Sequence, residues 1–248
     1  MKPIENANLP QSACGTVIAG GLDTDALETL TSAGIQVLPP DPEPCLPNAL
    51  KTHADISFLH LGKNVVCISQ TQQRLKTRLS VMGFTVCDRV RLGEKYPFDV
   101  PLNALVLNRF LICNPDTAAS AVISFLNNSD LTMIPVKQGY ARCSAAVVAQ
   151  RAIITEDRGV YASVTATGEL DALLIPPGNV GLNGYPYGFI GGCCGKIDRD
   201  LLAFNGRIEA HPRYHEIRAF CANHGVSVLS LCGSPLYDNG GILPLTER

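Results

Sequence analysis

The sequence predicts an α/β fold built from five similar strand, strand, helix, strand units, and three observations carry that expectation. Short apolar runs, each ending in a turn, begin at Val17 (VIAGG), Val65 (VVCIS), Leu111 (LICNP), Ile153 (IITED) and Leu201 (LLAFNG). Their spacings of 48, 46, 42 and 48 residues are a period, and a period of this length marks a repeat architecture. Behind each run a segment of helical character leads to a second apolar strand that ends in Pro or a polar turn. In units two to five a further strand-like segment precedes the run.

The elements follow in order. In unit one, Asp25 to Ala33 reads as a helix leading through Gly34 to a strand at Ile35 to Leu38. In unit two, Gln72 to Met82 leads through Gly83 to Phe84 to Cys87. Unit three has Thr117 to Leu126 before Leu131 to Ile134, and unit four has Gly159 to Thr167 before Ala172 to Ile175. Unit five has Pro212 to Asn223 before Val226 to Leu229. Pro at the start of a helix and Gly just past its end fit the preferences of helix termini. The preceding strands are expected at Ala54 to Leu61, Asn103 to Leu107, Ser144 to Ala149 and Phe189 to Lys196. Unit one lacks such a segment, and the unassigned strand at Gly241 to Leu245 supplies it if the two chain ends join into a ring. An ordinary doubly wound sheet would leave the paired strands before each helix unexplained.

With 248 residues, 46% of them hydrophobic and 17% charged, the chain has the composition of a globular protein. One domain over residues 1–248 is expected. Lys and Arg number 20 against 22 Asp and Glu, and no long basic run occurs, which argues against a nucleic-acid partner. The polar start Met1 to Pro10 lacks the apolar stretch of a signal peptide, and no apolar segment reaches spanning length, so a cytoplasmic protein without a membrane partner is expected. The ten cysteines are dispersed, and Cys67, Cys87 and Cys113 sit in apolar runs as small hydrophobes.

Five such units about a pseudo-fivefold axis resemble the pentein, or β/α-propeller, fold of guanidino-group-modifying enzymes and of translation initiation factor 6. The resemblance covers nearly the whole chain through its period. Its residue matches are His53-Ala54-Asp55 and Asp238-Asn239-Gly240-Gly241-Ile242, the second being similar to the Gly-rich approach to the catalytic Cys of the deiminase branch. There the deiminases continue with His-Cys, whereas this chain has Leu243-Pro244. Neither residue can attack a guanidinium carbon or carry a proton, so a nucleophile would have to come from elsewhere.

In a ring of this kind the inner strand starts face a central cavity, which is the expected site for a small-molecule ligand. His53, Asp55, Lys137, Tyr140, Arg142, Cys143, Tyr185, Tyr187, Cys193, Cys194, Asp238 and Asn239 occupy such positions. His53 and Asp55, two apart, would share one side of a strand, and a carboxylate beside an imidazole suits a general base; the other reading is a surface or capping pair. Cys143 follows Lys137 and Arg142, whose charges would lower its pKa and make it a nucleophile; the other reading is a buried structural thiol. The run Gly188 to Lys196 ends in Gly-Lys, yet Ile190 and Ile197 stand where a phosphate-binding loop needs Gly and Ser or Thr. No cofactor is implied. His211 and His215 have metal-ligand spacing, but Pro212 places His211 at a helix cap, and no metal site is expected.

Two function classes stand at this point. One is a small-molecule-binding protein, a hydrolase or transferase of guanidino, amidino or other polar metabolites, using Cys143 or the Cys193-Cys194 pair with His53 and with Asp55 and Asp238 as anionic partners. The other is a noncatalytic interaction module like the translation-factor branch. The gathering of ionisable residues at strand starts favours the first.

Overall fold

Each apolar run of the repeat is the middle strand of its own sheet. The computed structural model describes residues 1–248. It runs β1 (Lys2–Pro3), β2 (Cys14–Ile18), α1 (Thr24–Ser32) and β3 (Gln36–Leu38), then α2 (Ala54–Ser57), β4 (Phe58–Gly62), β5 (Val65–Ser69), α3 (Gln73–Val81) and β6 (Thr85–Val90). The third unit has β7 (Leu105–Leu107), β8 (Phe110–Cys113), α4 (Ser120–Asn127) and β9 (Thr132–Pro135), and the fourth has β10 (Ala145–Ala149), β11 (Ala152–Thr155), α5 (Arg158–Thr165) and β12 (Asp171–Leu174). The fifth has β13 (Cys194–Asp198), β14 (Leu201–Phe204), α6 (Tyr214–Asn223) and β15 (Ser227–Ser230), before β16 (Leu243–Glu247) ends the chain.

The same pairing recurs in every unit: the middle strand is antiparallel to the strand before it and parallel to the one after the helix. In unit four Ile154 faces Ala146 and Leu173, and in unit five Leu202 faces Lys196 and Val228. In unit one the antiparallel partner is β16, with Leu243 opposite Ile18 and Pro244 opposite Val17, and β1 extends the sheet on its far side. The C-terminal strand therefore completes the first sheet, as expected from the missing segment.

Middle strands are continuously apolar because both of their faces are covered, which removes the alternation of a half-exposed strand. Each long helix buries two residues four apart: Ala26 and Leu30, Leu75 and Leu79, Val122 and Leu126, Val160 and Val164, Ile217 and Cys221. One stripe per helix is all that a single sheet needs to bury. Asp23 and Asp157 cap α1 and α5 by accepting from the Asp25 and Val160 amides, and Gly34 (φ 74°) lets the chain leave α1 in the left-handed region.

Apolar clusters link consecutive units. Ile56 and Cys67 of unit two pack with Leu111 and Val122 of unit three, and Leu105 and Ile112 of unit three pack with Ile153 and Val160 of unit four. Ala146 and Ile154 pack with Leu202 and Ile217, Ala203 packs with Val17 and Leu30, and Ile18 and Leu243 pack with Val66 and Leu75. All ten cysteines are free thiols, and seven of them are buried. No helix is long and apolar enough to cross a membrane.

Two of the expected strands begin with a helical turn instead of strand. Ala54 to Leu61 divides into the single turn α2 and strand β4, so His53 and Asp55 do not sit on a strand; the turn forms because the Asp55 amide donates to Gly240 O (3.1 Å) and Ser57 Oγ to His53 O (3.1 Å). Phe189 to Lys196 begins with a loop and a 3₁₀ turn at Gly191–Cys193, and only Cys194 onward is strand.

Candidate functional site

Three strand starts converge on one side chain. Asn103, just ahead of β7, donates from Nδ2 to Asp55 O (3.0 Å) and to Cys143 Sγ (2.9 Å). Its Oδ1 accepts from the backbone amides of Arg142 (2.8 Å) and Cys143 (3.2 Å). The residues that open units two, three and four are thus tied together at their inner ends. Cys143 donates its thiol proton to Asp55 Oδ2 at 2.8 Å.

The segment Asp238 to Ile242 reaches the same place by backbone. The Asn239 and Gly241 amides donate to Gly192 O (2.9 and 2.7 Å), the Ile242 amide donates to Cys194 O (3.1 Å), and Gly240 O accepts from Asp55. Gly240 holds φ at 83°, and a Cβ there would collide with the His53 backbone; a Cβ on Gly192 would collide with the Asp238 carboxylate. Glycine is required where backbone passes this closely. Asp238 accepts from the Phe189 amide (2.9 Å) and the Gly240 amide (3.0 Å), and its Oδ1 lies 3.7 Å from His53 Nδ1, an electrostatic contact longer than a hydrogen bond.

His53, Cys143 and Asp238 line a cavity of about 260 Å³. Tyr140, Tyr185, Tyr187 and Phe189 form its aromatic wall, with Leu50, Ile56, Leu182 and Pro186 completing it. Asp55 stands behind Cys143. His53 Nε2 and Asp55 Oδ1 are buried without a hydrogen-bond partner, as are Oδ1 of Asn239 and Oε1 of Glu156. Buried polar atoms in folded proteins are nearly always paired, and of these four only His53 Nε2 belongs to a residue that lines the cavity, where a ligand can reach it.

Burial dominates the electrostatics. It pushes the Cys143 thiol well above its ordinary pKa, and the charges of Asp55 and Asp238 add to the effect, with only the Asn103 amide opposing. The Asp238 carboxyl rises from 3.8 to about 6, mainly by burial, with His53 pulling it down and Asp55 pushing it up. Glu156, which accepts from the Ile190 amide at 2.8 Å, rises to about 7 by burial, with the Asp238 charge adding to the rise. The floor is therefore acid-rich and its thiol is protonated at rest.

Several sequence-based expectations need correcting. Cys143 is only 2% exposed and has a raised, not lowered, pKa. Lys137 is exposed and lines a different groove beside Asn114 and Asp116. The Arg142 guanidinium turns toward the carbonyls of Gly191 (3.1 Å) and Ala145 (3.4 Å) and braces the backbone instead of activating the thiol. Cys193 and Cys194 belong to the apolar cluster between units four and five, and burial raises both, Cys194 to about 12. Asn239 binds Gly20 O (2.8 Å) and Gly241 O (3.3 Å) and is a strut. Tyr140, Tyr185 and Tyr187 do face the cavity, as do His53 and Asp238. Leu243 and Pro244, at the positions of the deiminase His-Cys, pair with β2, and Leu243 is core.

Residues 17–243 match the model of a family of unknown function, DUF6873. No curated protein matches in sequence. Among solved structures the chain is similar to SxtG, an amidinotransferase from Microseira wollei in the saxitoxin biosynthetic pathway, with 12% identity and a TM-score of 0.62 over 98% of this chain and 97% of that one. It is also similar to the inosamine-phosphate amidinotransferase of Streptomyces griseus (12%, TM-score 0.60, 100% and 97% covered) and to an agmatine deiminase of C. jejuni (8%, TM-score 0.54, 91% and 90% covered). These likenesses show the pentein fold.

Proposed function

The chain belongs to the DUF6873 family, and from its pentein fold and its cavity we propose that it binds a small guanidino- or amidino-type cation and acts on it through Cys143. In this reading the five units form one domain, a ring joined by β16, with the cavity at its centre. The observation that carries the reading is the presence of Cys143, His53 and Asp238 on one aromatic-walled cavity, with Asp55 in contact with the thiol. That fold neighbours are amidinotransferases and an agmatine deiminase supports the substrate class.

The resting thiol fits such chemistry once the ligand is present. Negative neighbours disfavour the thiolate, and a cation between Asp238 and Cys143 offsets them and lowers the thiol pKa. The Cys143 proton passes to Asp55 Oδ2, and the sulfur adds to the amidino carbon to form a C–S bond. A C–N bond then breaks, the departing amine taking a proton from His53, whose Nε2 has no other partner. Water next attacks the same carbon and passes a proton back to His53, the C–S bond breaks, and the sulfur recovers its proton from Asp55. The sum is one guanidino compound and one water giving a urea and an amine, or one amidine and one water giving an amide and an amine.

The test combines calorimetric binding with amine release. Wild-type protein is expected to bind guanidinium or amidinium compounds and to release amine, and Cys143→Ala to retain binding while losing release. No binding by any such cation at millimolar concentration overturns the reading. Binding with release that persists in Cys143→Ala overturns the assignment of the nucleophile.

A further inference from the structure

The cavity's lining has a marked bias of charge and shape. Its ionisable groups are His53, Cys143, Asp238 and tyrosine hydroxyls, and no Lys or Arg lines it. Asp55 and Glu156 add carboxyl groups behind the floor, and the one nearby cation, Arg142, is spent on backbone carbonyls. Tyr140 donates its hydroxyl to Asp99 Oδ2 (2.5 Å), so it has no proton left for an anion. A carboxylate or phosphate entering here would meet carboxylate charge and neither Lys nor Arg, at separations where such repulsion is strong.

The walls are aromatic and set at angles. Tyr140 and Phe189 lie 6.0 Å apart at 33°, and Tyr187 stands edge-on to Phe189 at 6.4 Å and 90°. Ring faces meeting at a corner attract cations and pack well against alkyl groups attached to them. Tyr185 and Tyr187 belong to a strap whose neck is held by Gly188 N to Val180 O (2.7 Å), Gly181 N to Leu236 O (2.9 Å) and Asp238 N to Gly181 O (2.9 Å). Both tyrosines are 42% exposed, leaving apolar surface that an alkyl substituent would cover. At about 260 Å³ the cavity lies near the small end of ligand sites, which run from about 300 Å³ upward.

From these features we infer that the ligand is a compact, N-alkylated guanidinium or amidinium without any acidic group, and that free amino acids carrying a guanidino group are excluded. The inference rests on the cation-binding reading above and narrows it. Asp238 engages the charge, while Tyr187 and Phe189 select the alkyl substituent.

Two matched comparisons by titration calorimetry at pH 7.5 test it. Butylguanidine is set against 4-guanidinobutanoate, which differs by a terminal acid, and N,N-dimethylguanidine against guanidine. Butylguanidine is expected to bind at least tenfold more tightly than the acid, and the dimethyl compound several-fold more tightly than guanidine. Tyr187→Ser, on the exposed strap, is expected to erase the alkyl preference while leaving the discrimination against the acid and the thermal midpoint in place. Equal or tighter binding of the acid, or an alkyl preference unchanged in Tyr187→Ser, overturns the inference but leaves cation binding intact. Failure of all four compounds to bind overturns both.

Discussion

Units two and four meet the floor of the cavity through side chains that Asn103 of unit three ties together, whereas the glycine-rich segments Gly191–Gly192 and Gly240–Gly241 meet behind it through backbone, forming a seam. On the first side Asp55, Asn103 and Cys143 are bonded to one another by carboxylate, amide and thiol. On the second, Gly192, Gly240 and Gly241 bring main chain against main chain, and the flanking Phe189 and Asp238 line the cavity. The same repeat position thus supports two different tasks.

The largest effect should come from cutting the seam. Removing Ile242 to Arg248 takes away β16, leaves β2 without its antiparallel neighbour, and strips Leu243 and Leu245 from the cluster they share with Ile18 and Val66. An exposed, apolar strand edge aggregates. Insoluble protein is expected, assayed as the soluble fraction on expression. A soluble truncated chain that unfolds cooperatively would show that the seam is dispensable.

A smaller loss is expected on the side-chain half. Asn103→Ala leaves the Arg142 and Cys143 amides and Asp55 O without their partner, and each unsatisfied buried group costs about 1–3 kcal/mol. Urea denaturation is expected to show a folded protein destabilised by a few kcal/mol. The same variant should expose Cys143, so its alkylation by iodoacetamide should accelerate. In wild type, Cys143 is expected to label more slowly than the partly exposed Cys45, Cys87 and Cys232, and to catch up only in denaturant. Fast labelling of native Cys143 would break the picture of a sealed, protonated thiol.

The contrast also explains which features are legible in sequence. The period, the middle strands and the five long helices follow from apolar runs and paired i, i+4 residues, because those patterns register burial directly. Cys143, His53, Asp238 and the tyrosines stand out as reactive or aromatic residues at strand starts. What sequence does not disclose is direction. The turn α2 hides inside an apolar stretch that reads as strand, and the 3₁₀ turn at Gly191–Cys193 delays β13 and directs Cys193 and Cys194 into the core. Lys137 and Arg142 flank Cys143 in sequence, yet one faces solvent in another groove and the other binds carbonyls. Asn103, Glu156, Leu182 and Phe189 could be found only through the repeat alignment or not at all, since a lone Asn before a strand and an apolar loop residue carry no distinctive signal.

The subtlest expected effect separates the two halves by pH. Asp238 titrates near 6 and Glu156 near 7 in the folded protein, against ordinary values of 3.8 and 4.5. Between each pair of values the native state keeps a proton that the unfolded chain has lost, so unfolding free energy falls as pH rises. The stabilisation is complete below about pH 4 and gone above about pH 7, with a limiting slope of about 1.4 kcal/mol per pH unit for one proton. Asp238→Asn, which lies on the seam, should remove the decline between about pH 4 and 6, and Glu156→Gln the part that extends to about pH 7. Thermal midpoints measured across that range, read as the difference between each variant and wild type, check the assignment. A wild-type decline that survives both substitutions would place the titrating groups elsewhere. A bound guanidinium should act in the opposite direction, because it favours the ionised Asp238. Its affinity is therefore expected to rise by up to about tenfold per pH unit below pH 6 and to level off above it, a dependence that Asp238→Asn should abolish.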